Sequence, residues 1–235
     1  MKNFSHTKII IALDYSNERD ALQFIKKLDP KIYKIKIGKE MFLLSGKVFV
    51  EKIIKLGFKV FLDLKLHDIP NTVSKAIISL STLNLWMISI HVTGGREMME
   101  SAKSSLSYFK INKPFLVGVT VLSSLSKLDI KELGFSRTID ETVLLLSKLS
   151  KKVGLDGVVC PGNSVNYIKK SIKDNLKIIT PGIRMQGSFS HDQKNIITPE
   201  QAINYNIDYI ILGRTITFSK NPIKILEKIS SLIFS

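Results

Sequence analysis

The sequence predicts an α/β protein of the (β/α)8 TIM-barrel class. Three observations carry that expectation. Short apolar runs alternate with helix-like segments along the chain, polar or glycine residues recur just past the ends of those runs, and 235 residues is a size at which such a barrel commonly closes as one domain. The candidate strands are 9–13, 33–37, 60–64, 87–91, 115–119, 157–160, 177–180 and 209–212. In order, they give way to Asp14, to Gly38, to Asp63 near the end of the third run, to Gly94-Gly95, Ser123-Ser124, Pro161-Gly162, Pro181-Gly182 and Gly213-Arg214. Helix-like segments lie between them at 19–28, 48–56, 73–83, 96–106, 139–153, 165–171 and 199–205, with a last one at 223–232. Function in this architecture sits on the rim just past the strand ends.

The third run is the most informative. Lys59-Val60-Phe61-Leu62 leads into Asp63-Leu64-Lys65-Leu66-His67-Asp68-Ile69-Pro70-Asn71-Thr72. Successive strand side chains face opposite sides, so Asp63 and Lys65 project one way and Leu62, Leu64 and Leu66 the other. Pro70 fits the first turn of the helix that follows. An Asp-x-Lys on an edge strand is ordinarily a solvated ion-pair ladder. The nearly continuous apolar flank instead reads as a strand covered on both sides, where each charge must be matched. By the same alternation His67 points away from Asp63 and Lys65 and reads as a structural hydrogen-bonding residue. His91 reads as a brace at a strand end, Cys160 as a small buried residue, and Lys39-Glu40-Met41-Phe42 as the start of a helix.

Composition bounds the rest. The apolar run 9–13 is cut by Asp14 well short of a signal-peptide core, and no stretch is long enough to span a membrane, so a cytoplasmic protein is expected. The single cysteine allows no intrachain disulfide and no cysteine cluster for zinc. The formal net charge of +15 raises nucleic acid as a partner. The lysines are spread along helix faces such as Lys26-Lys27, Lys151-Lys152 and Lys169-Lys170, without a dense stripe or interleaved aromatics. No specific nucleic-acid partner is therefore expected, while an anionic small molecule would benefit from the field. The irregular stretch 182–193, rich in Gly, Ser and charge, suits a loop closing over a ligand. Gly213-Arg214-Thr215 offers backbone N–H groups and a guanidinium where barrels of this class commonly bind phosphate.

Ile11-Ala12-Leu13-Asp14, Lys36-Ile37-Gly38-Lys39-Glu40-Met41-Phe42, the Asp63 to Thr72 signature, His91-Val92-Thr93-Gly94-Gly95, Leu155-Asp156-Gly157-Val158-Val159-Cys160, Thr180-Pro181-Gly182-Ile183-Arg184 and Gly213-Arg214 occur in that order. Together they resemble the orotidine 5'-phosphate decarboxylase family over essentially the whole chain. The resemblance implies a homodimeric barrel that converts orotidine 5'-phosphate to UMP and CO2, the last step of UMP synthesis, with no cofactor and no metal. It implies Lys65 as proton donor, Asp63 near the substrate carboxylate, and Lys36 with Asp14 on ribose hydroxyls. It also implies that Asp68, Ile69 and Thr72 reach into the neighbouring subunit's site. Ser123 would contact the pyrimidine, Gln193 would bridge base and phosphate, and Arg184, Gly213 and Arg214 would hold the phosphate, with Pro181 also against the substrate. Ser123 stands where threonine is usual in the family, and the hydroxyl is kept.

The chemistry asks for the same inventory. Loss of CO2 from C6 leaves a carbanion that the ring does not readily delocalise, so an ammonium must be waiting there. Carboxylates beside Lys65 favour its charged form, and Lys36 balances surplus negative charge. Remote phosphate binding drives loop closure and orients the base, which makes Arg214 and Gln193 matter for turnover as well as affinity. Two other readings stay open. One is a sister decarboxylase or aldolase of the same barrel superfamily that uses Mg²⁺ on a sugar phosphate. The other is a non-enzymatic basic binding protein that kept the barrel.

Overall fold

Eight short strands pair in chain order and close on themselves. The computed structural model describes residues 8–110, 112–173, 176–185 and 195–234. The first half of the barrel comprises β1 (Lys8–Ala12), α1 (Glu18–Ile25), β2 (Lys34–Gly38), α2 (Lys39–Lys55), β3 (Val60–Leu66), α3 (Pro70–Ser79), β4 (Met87–His91) and α4 (Gly95–Ser104). The second half comprises β5 (Phe115–Val119), α5 (Lys127–Glu132), α6 (Ile139–Val153), β6 (Gly157–Val159), α7 (Val165–Ser171), β7 (Lys177–Thr180), α8 (Pro199–Asn204), β8 (Tyr209–Leu212), α9 (Arg214–Thr217) and α10 (Pro222–Phe234). Every neighbouring pair of strands is parallel, and β1 meets β8 from Lys8↔Tyr209 to Ile11↔Leu212.

Alternation along the strands sorts the core into two layers. Ile10, Ala12, Phe61, Met87, Val117, Val119, Val159, Ile179, Tyr209 and Ile211 fill the inside of the barrel. Their neighbours, among them Ile9, Ile11, Ile35, Ile37, Leu62 and Ile88, pack outward against helix residues such as Phe49, Ile53, Ile77 and Met98. In β2 the outward Ile35 and Ile37 are fully buried, while Lys34 and Lys36 take the inward positions at opposite ends of the strand. The helices start where local chemistry starts them. The Asn17 side chain accepts from the Asp20 N–H at 2.9 Å, Pro70 opens α3, and Thr138 with Glu141 and Thr198 with Gln201 form capping boxes.

The strands fall within two residues of the expected bounds at either end. The helices differ in instructive ways. The expected segment 48–56 is the second half of α2, which begins at Lys39 and breaks at Gly46, φ 62° and ψ −161°. The short helices α5 and α9 have too few turns for periodicity to reveal them. No helix among the described residues is long and apolar enough to cross a membrane.

Gly157 marks the tightest strand contact. A Cβ there would lie 2.6 Å from the Lys177 carbonyl oxygen, a backbone atom that cannot swing aside. Gly157→Ala is expected to cost about 2 kcal/mol in equilibrium denaturation. An unchanged denaturation midpoint would show that β6 and β7 yield more readily than this spacing implies.

Candidate active site

β3 does not end as a regular strand. Phe61↔Met87 and Leu62↔Ile88 are followed by Leu66↔Ile90, so β3 spends two more residues than β4 over the same rise. The irregularity falls at Lys65, whose φ of 51° is in the left-handed region. For a lysine that conformation costs about 1–2 kcal/mol, and the backbone holds it by donating the Lys65 N–H to Ser89 Oγ at 2.9 Å. The expected alternation therefore fails in detail. Leu62, Leu64 and Leu66 still pack on the outer core, and Asp63 still meets Lys65, but through a bulge.

Asp63 is the centre of the cluster and only 5 % exposed. Its Oδ2 lies 2.6 Å from Lys65 Nζ and 3.4 Å from Lys36 Nζ, and its Oδ1 accepts from the Ser89 hydroxyl at 2.8 Å. Burial alone would push this carboxyl up. The charges of Lys36 and Lys65 and the hydrogen bonds from Lys65 and Ser89 outweigh it and hold the group below the ordinary carboxylate value. Gly38 sits opposite Asp63 in the register and opens room for the Lys36 amine, which would lie 3.4 Å from a Cβ there.

These residues form one end of a pocket of about 220 Å³ at the C-terminal mouth of the barrel. Of the residues expected from sequence, it brings together Asp14, Lys36, Asp63, Lys65, Ser123, Pro181, Arg184, Gly213 and Arg214. Val119, Val121, Leu122, Val159 and Ile211 supply apolar walls that the sequence reading did not single out. Gly213 leaves room for Asp14 where β8 passes β1, since a Cβ there would come within 2.8 Å of Asp14 Oδ2 and would make that carboxylate shift. Arg184 is buried, and its Nη1 donates to the Ile183 carbonyl at 2.9 Å and to Thr215 Oγ1 at 3.0 Å, tying the loop after β7 to α9. Asn195 donates from Nδ2 to the carbonyls of Ser123 and Leu125 at 3.1 and 3.2 Å, so the loop after β5 is fixed from the far side.

Other expected residues lie elsewhere. Asp68, Ile69 and Thr72 are exposed and do not line the pocket, with Ile69 at 65 % and the Asp68 carboxylate accepting from the Ile69 N–H at 2.7 Å. Gln193 lies outside the described residues. His67 was expected to make a structural hydrogen bond; its ring instead packs on His91, centroids 5.2 Å apart. Burial, then the charges of His67, Lys65 and Lys39, bring His91 down to about 4, so it is a neutral ring behind the cluster at neutral pH. Cys160 is buried, as expected, and burial pushes its thiol up to about 12. Ser89 is the residue that sequence reasoning missed. Its only signal was a hydroxyl at an inward position of the apolar run Met87-Ile88-Ser89-Ile90.

A family model described as orotidine 5'-phosphate decarboxylase / HUMPS family matches residues 7–229. The chain belongs to that family. Among its relatives, the orotidine 5'-phosphate decarboxylase of Buchnera aphidicola subsp. Baizongia pistaciae is 51 % identical over 232 residues, 98 % of each chain. That of Pseudoalteromonas translucida is 46 % identical over 226 residues, covering 96 % of this chain and 97 % of the other. The crystal structure of orotidine 5'-phosphate decarboxylase from Lactobacillus acidophilus superposes with a TM-score of 0.85 at 34 % identity, over 97 % of this chain and 99 % of that one.

Within this decarboxylase-family barrel, Ser89 serves two partners at once. Ser89→Ala is expected to destabilise the fold by about 1–3 kcal/mol, because it strips a donor from a buried carboxylate and an acceptor from the Lys65 N–H. Thermal and chemical denaturation check this. A loss below about 0.5 kcal/mol would mean that water replaces the hydroxyl.

Proposed function

We propose that this protein decarboxylates orotidine 5'-phosphate to UMP and CO2, the closing step of UMP synthesis, with Lys65 as the proton donor. The observation that carries the reading is the Lys36–Asp63–Lys65 cluster at one end of a pocket whose other end holds Arg184, Gly213 and Arg214. A substrate with a charged carboxylate near one end, a phosphate at the other and a flat ring between them matches that distribution. Roughly half of the residues are shared with relatives named for this activity.

In the reaction the C6–carboxylate bond breaks and its electron pair stays on C6 while CO2 leaves. A proton then passes from Lys65 Nζ to C6, and the resulting amine regains a proton from solvent. Asp63 holds the Lys65 ammonium in place before the substrate arrives, so no reorganisation is needed as charge develops. Asp63 also faces the departing carboxylate, and the loss of that repulsion as CO2 forms assists bond breaking. Lys36 and Asp14 bind the ribose hydroxyls, and Ser123 meets the pyrimidine in the loop that Asn195 braces. Pro181 and the apolar walls pack on the ring, while Arg184, Gly213 and Arg214 take the phosphate, with Gln193 bridging to it.

Within one chain two ammoniums face one carboxylate. The charge balances if a second copy supplies Asp68, and the exposure of Asp68, Ile69 and Thr72 around the start of α3 supports that reading. We therefore read the active form as a homodimer with shared sites. The Mg²⁺-dependent alternative is disfavoured by the chemistry of the donor set, because both Asp63 oxygens are already engaged by ammonium and hydroxyl donors.

Loss of orotidylate absorbance in EDTA, followed with the purified protein, tests the assignment. The wild type should turn over, and Lys65→Ala should lower kcat by at least about 10³-fold while remaining folded. No turnover by folded wild type, or turnover that needs Mg²⁺, contradicts it. Sharing of the site is tested by mixing. Lys65→Ala and Asp68→Ala chains, each nearly inactive, should regain up to about a quarter of wild-type activity when re-dimerised together, since half of the dimers are mixed and each of these rebuilds one of two sites. Heterodimers that stay inactive place Asp68 elsewhere.

A further inference from the structure

The opposite end of the barrel carries a second cluster of charge that decarboxylation does not use. The alternation that turns Lys36 and Asp63 toward the C-terminal mouth gives Lys34 the same inward parity at the N-terminal mouth. Lys8, Lys59, Lys113 and Lys177 share that parity, on or just ahead of β1, β3, β5 and β7. They surround an aromatic floor in which Trp86 packs edge-on against Phe115 and Tyr209, with centroids 6.2 and 5.1 Å apart. Lys34 Nζ sits 5.8 Å from the Trp86 ring centre and Lys177 Nζ 5.4 Å from that of Phe115. Above the floor is an open depression of about 750 Å³ whose walls include Lys8, Lys31, Lys34 and Lys59.

These amines gather at one mouth without forming salt bridges among the described residues. At this end Asp29, Asp156 and Asp208 each turn a carboxylate oxygen to a backbone N–H, that of Lys31 at 2.8 Å, of Leu116 at 2.8 Å and of Ile178 at 2.9 Å, rather than to one of these amines. Burial, reinforced by the charges of Lys8 and Lys59, lowers the half-buried Lys34 to about 8. Like charges gathered over a low-dielectric aromatic floor focus a positive potential that one anion with several charges over a short span would relieve. Lysine supplies the compact point charge that suits phosphate oxygens.

We propose that the N-terminal mouth of the barrel binds a small anion carrying two or more linked phosphates, held by Lys8, Lys34 and Lys59 over Trp86. That chemistry has two sources, a free oligophosphate or the phosphate tail of a nucleotide. Trp86 is the only tryptophan in the chain, so its emission reports on this site directly.

The test is a titration of the whole protein with inorganic triphosphate, and in parallel with ATP, following Trp86 emission against sodium chloride at matched ionic strength. A saturable change is expected. It should weaken at least about tenfold in Lys34→Gln and in Lys59→Gln, each losing one charge-assisted contact. It should persist in Arg214→Ala, which alters the other mouth. Lys59→Gln guards against a Lys34→Gln chain that fails to fold, and both variants should keep orotidylate turnover, which separates this site from the one proposed above. Tighter binding of ATP than of triphosphate assigns a nucleotide; equal binding assigns the oligophosphate. An emission change reproduced by chloride, or lost in Arg214→Ala but kept in both lysine variants, overturns the proposal. So does a short single-stranded oligonucleotide that binds far more tightly than ATP.

Discussion

Asp63 is a carboxylate with almost no water around it, and the rest of the site depends on its staying ionised. Alone in that position it would take up a proton. Lys36, Lys65 and Ser89 keep it charged, and in return it orders the Lys65 ammonium at the mouth of the barrel. Removing one partner leaves the buried carboxylate with fewer groups to offset its desolvation. The cluster is therefore a device for position: it holds two ammoniums at the edge of the pocket where a flexible lysine would otherwise be free to turn to solvent.

That demand reaches into the backbone. β3 cannot deliver Lys65 as an ordinary strand residue, so it spends two extra residues against β4 and places Lys65 in the left-handed region. Ser89, fully buried on β4, absorbs the consequence by accepting the Lys65 N–H while donating to Asp63. Strain held by its surroundings at a site of chemistry is an expected pattern. Across the barrel, Gly213 gives way to Asp14 and Arg184 ties the loop after β7 to α9. The two ends of the pocket are thus fixed by separate strands, β1 to β3 for the charged cluster and β7 to β8 for the cationic end.

Much of this was legible in the residues. The eight strands announced themselves as apolar runs because a parallel barrel covers both faces of each strand. Asp63 and Lys65 stood out because charge within such a run is expensive. The bulge was not legible, since alternation alone also brings Asp63 and Lys65 to one side and gives no hint of the extra residues. Ser89 looked like any small polar residue until its two partners were in place. The helices α5 and α9 are too short to carry a period, and the break at Gly46 leaves no mark beyond the glycine itself. The apolar walls Val121 and Leu122 sit in a loop, where hydrophobicity has no periodic context. The lysines at the N-terminal mouth are scattered in sequence and gather only when the strands are laid side by side.

The proposed reaction requires a directed pocket, with the reacting carbon at the Asp63–Lys65 end and the phosphate at the Arg184–Arg214 end. A crystal structure of the protein with UMP bound tests this most directly. Pyrimidine C6 is expected to face Lys65 Nζ within about 3–3.5 Å, with the phosphate against Arg214. UMP bound in the reverse sense, its phosphate on Lys36 and Lys65 and its ring toward α9, would contradict it.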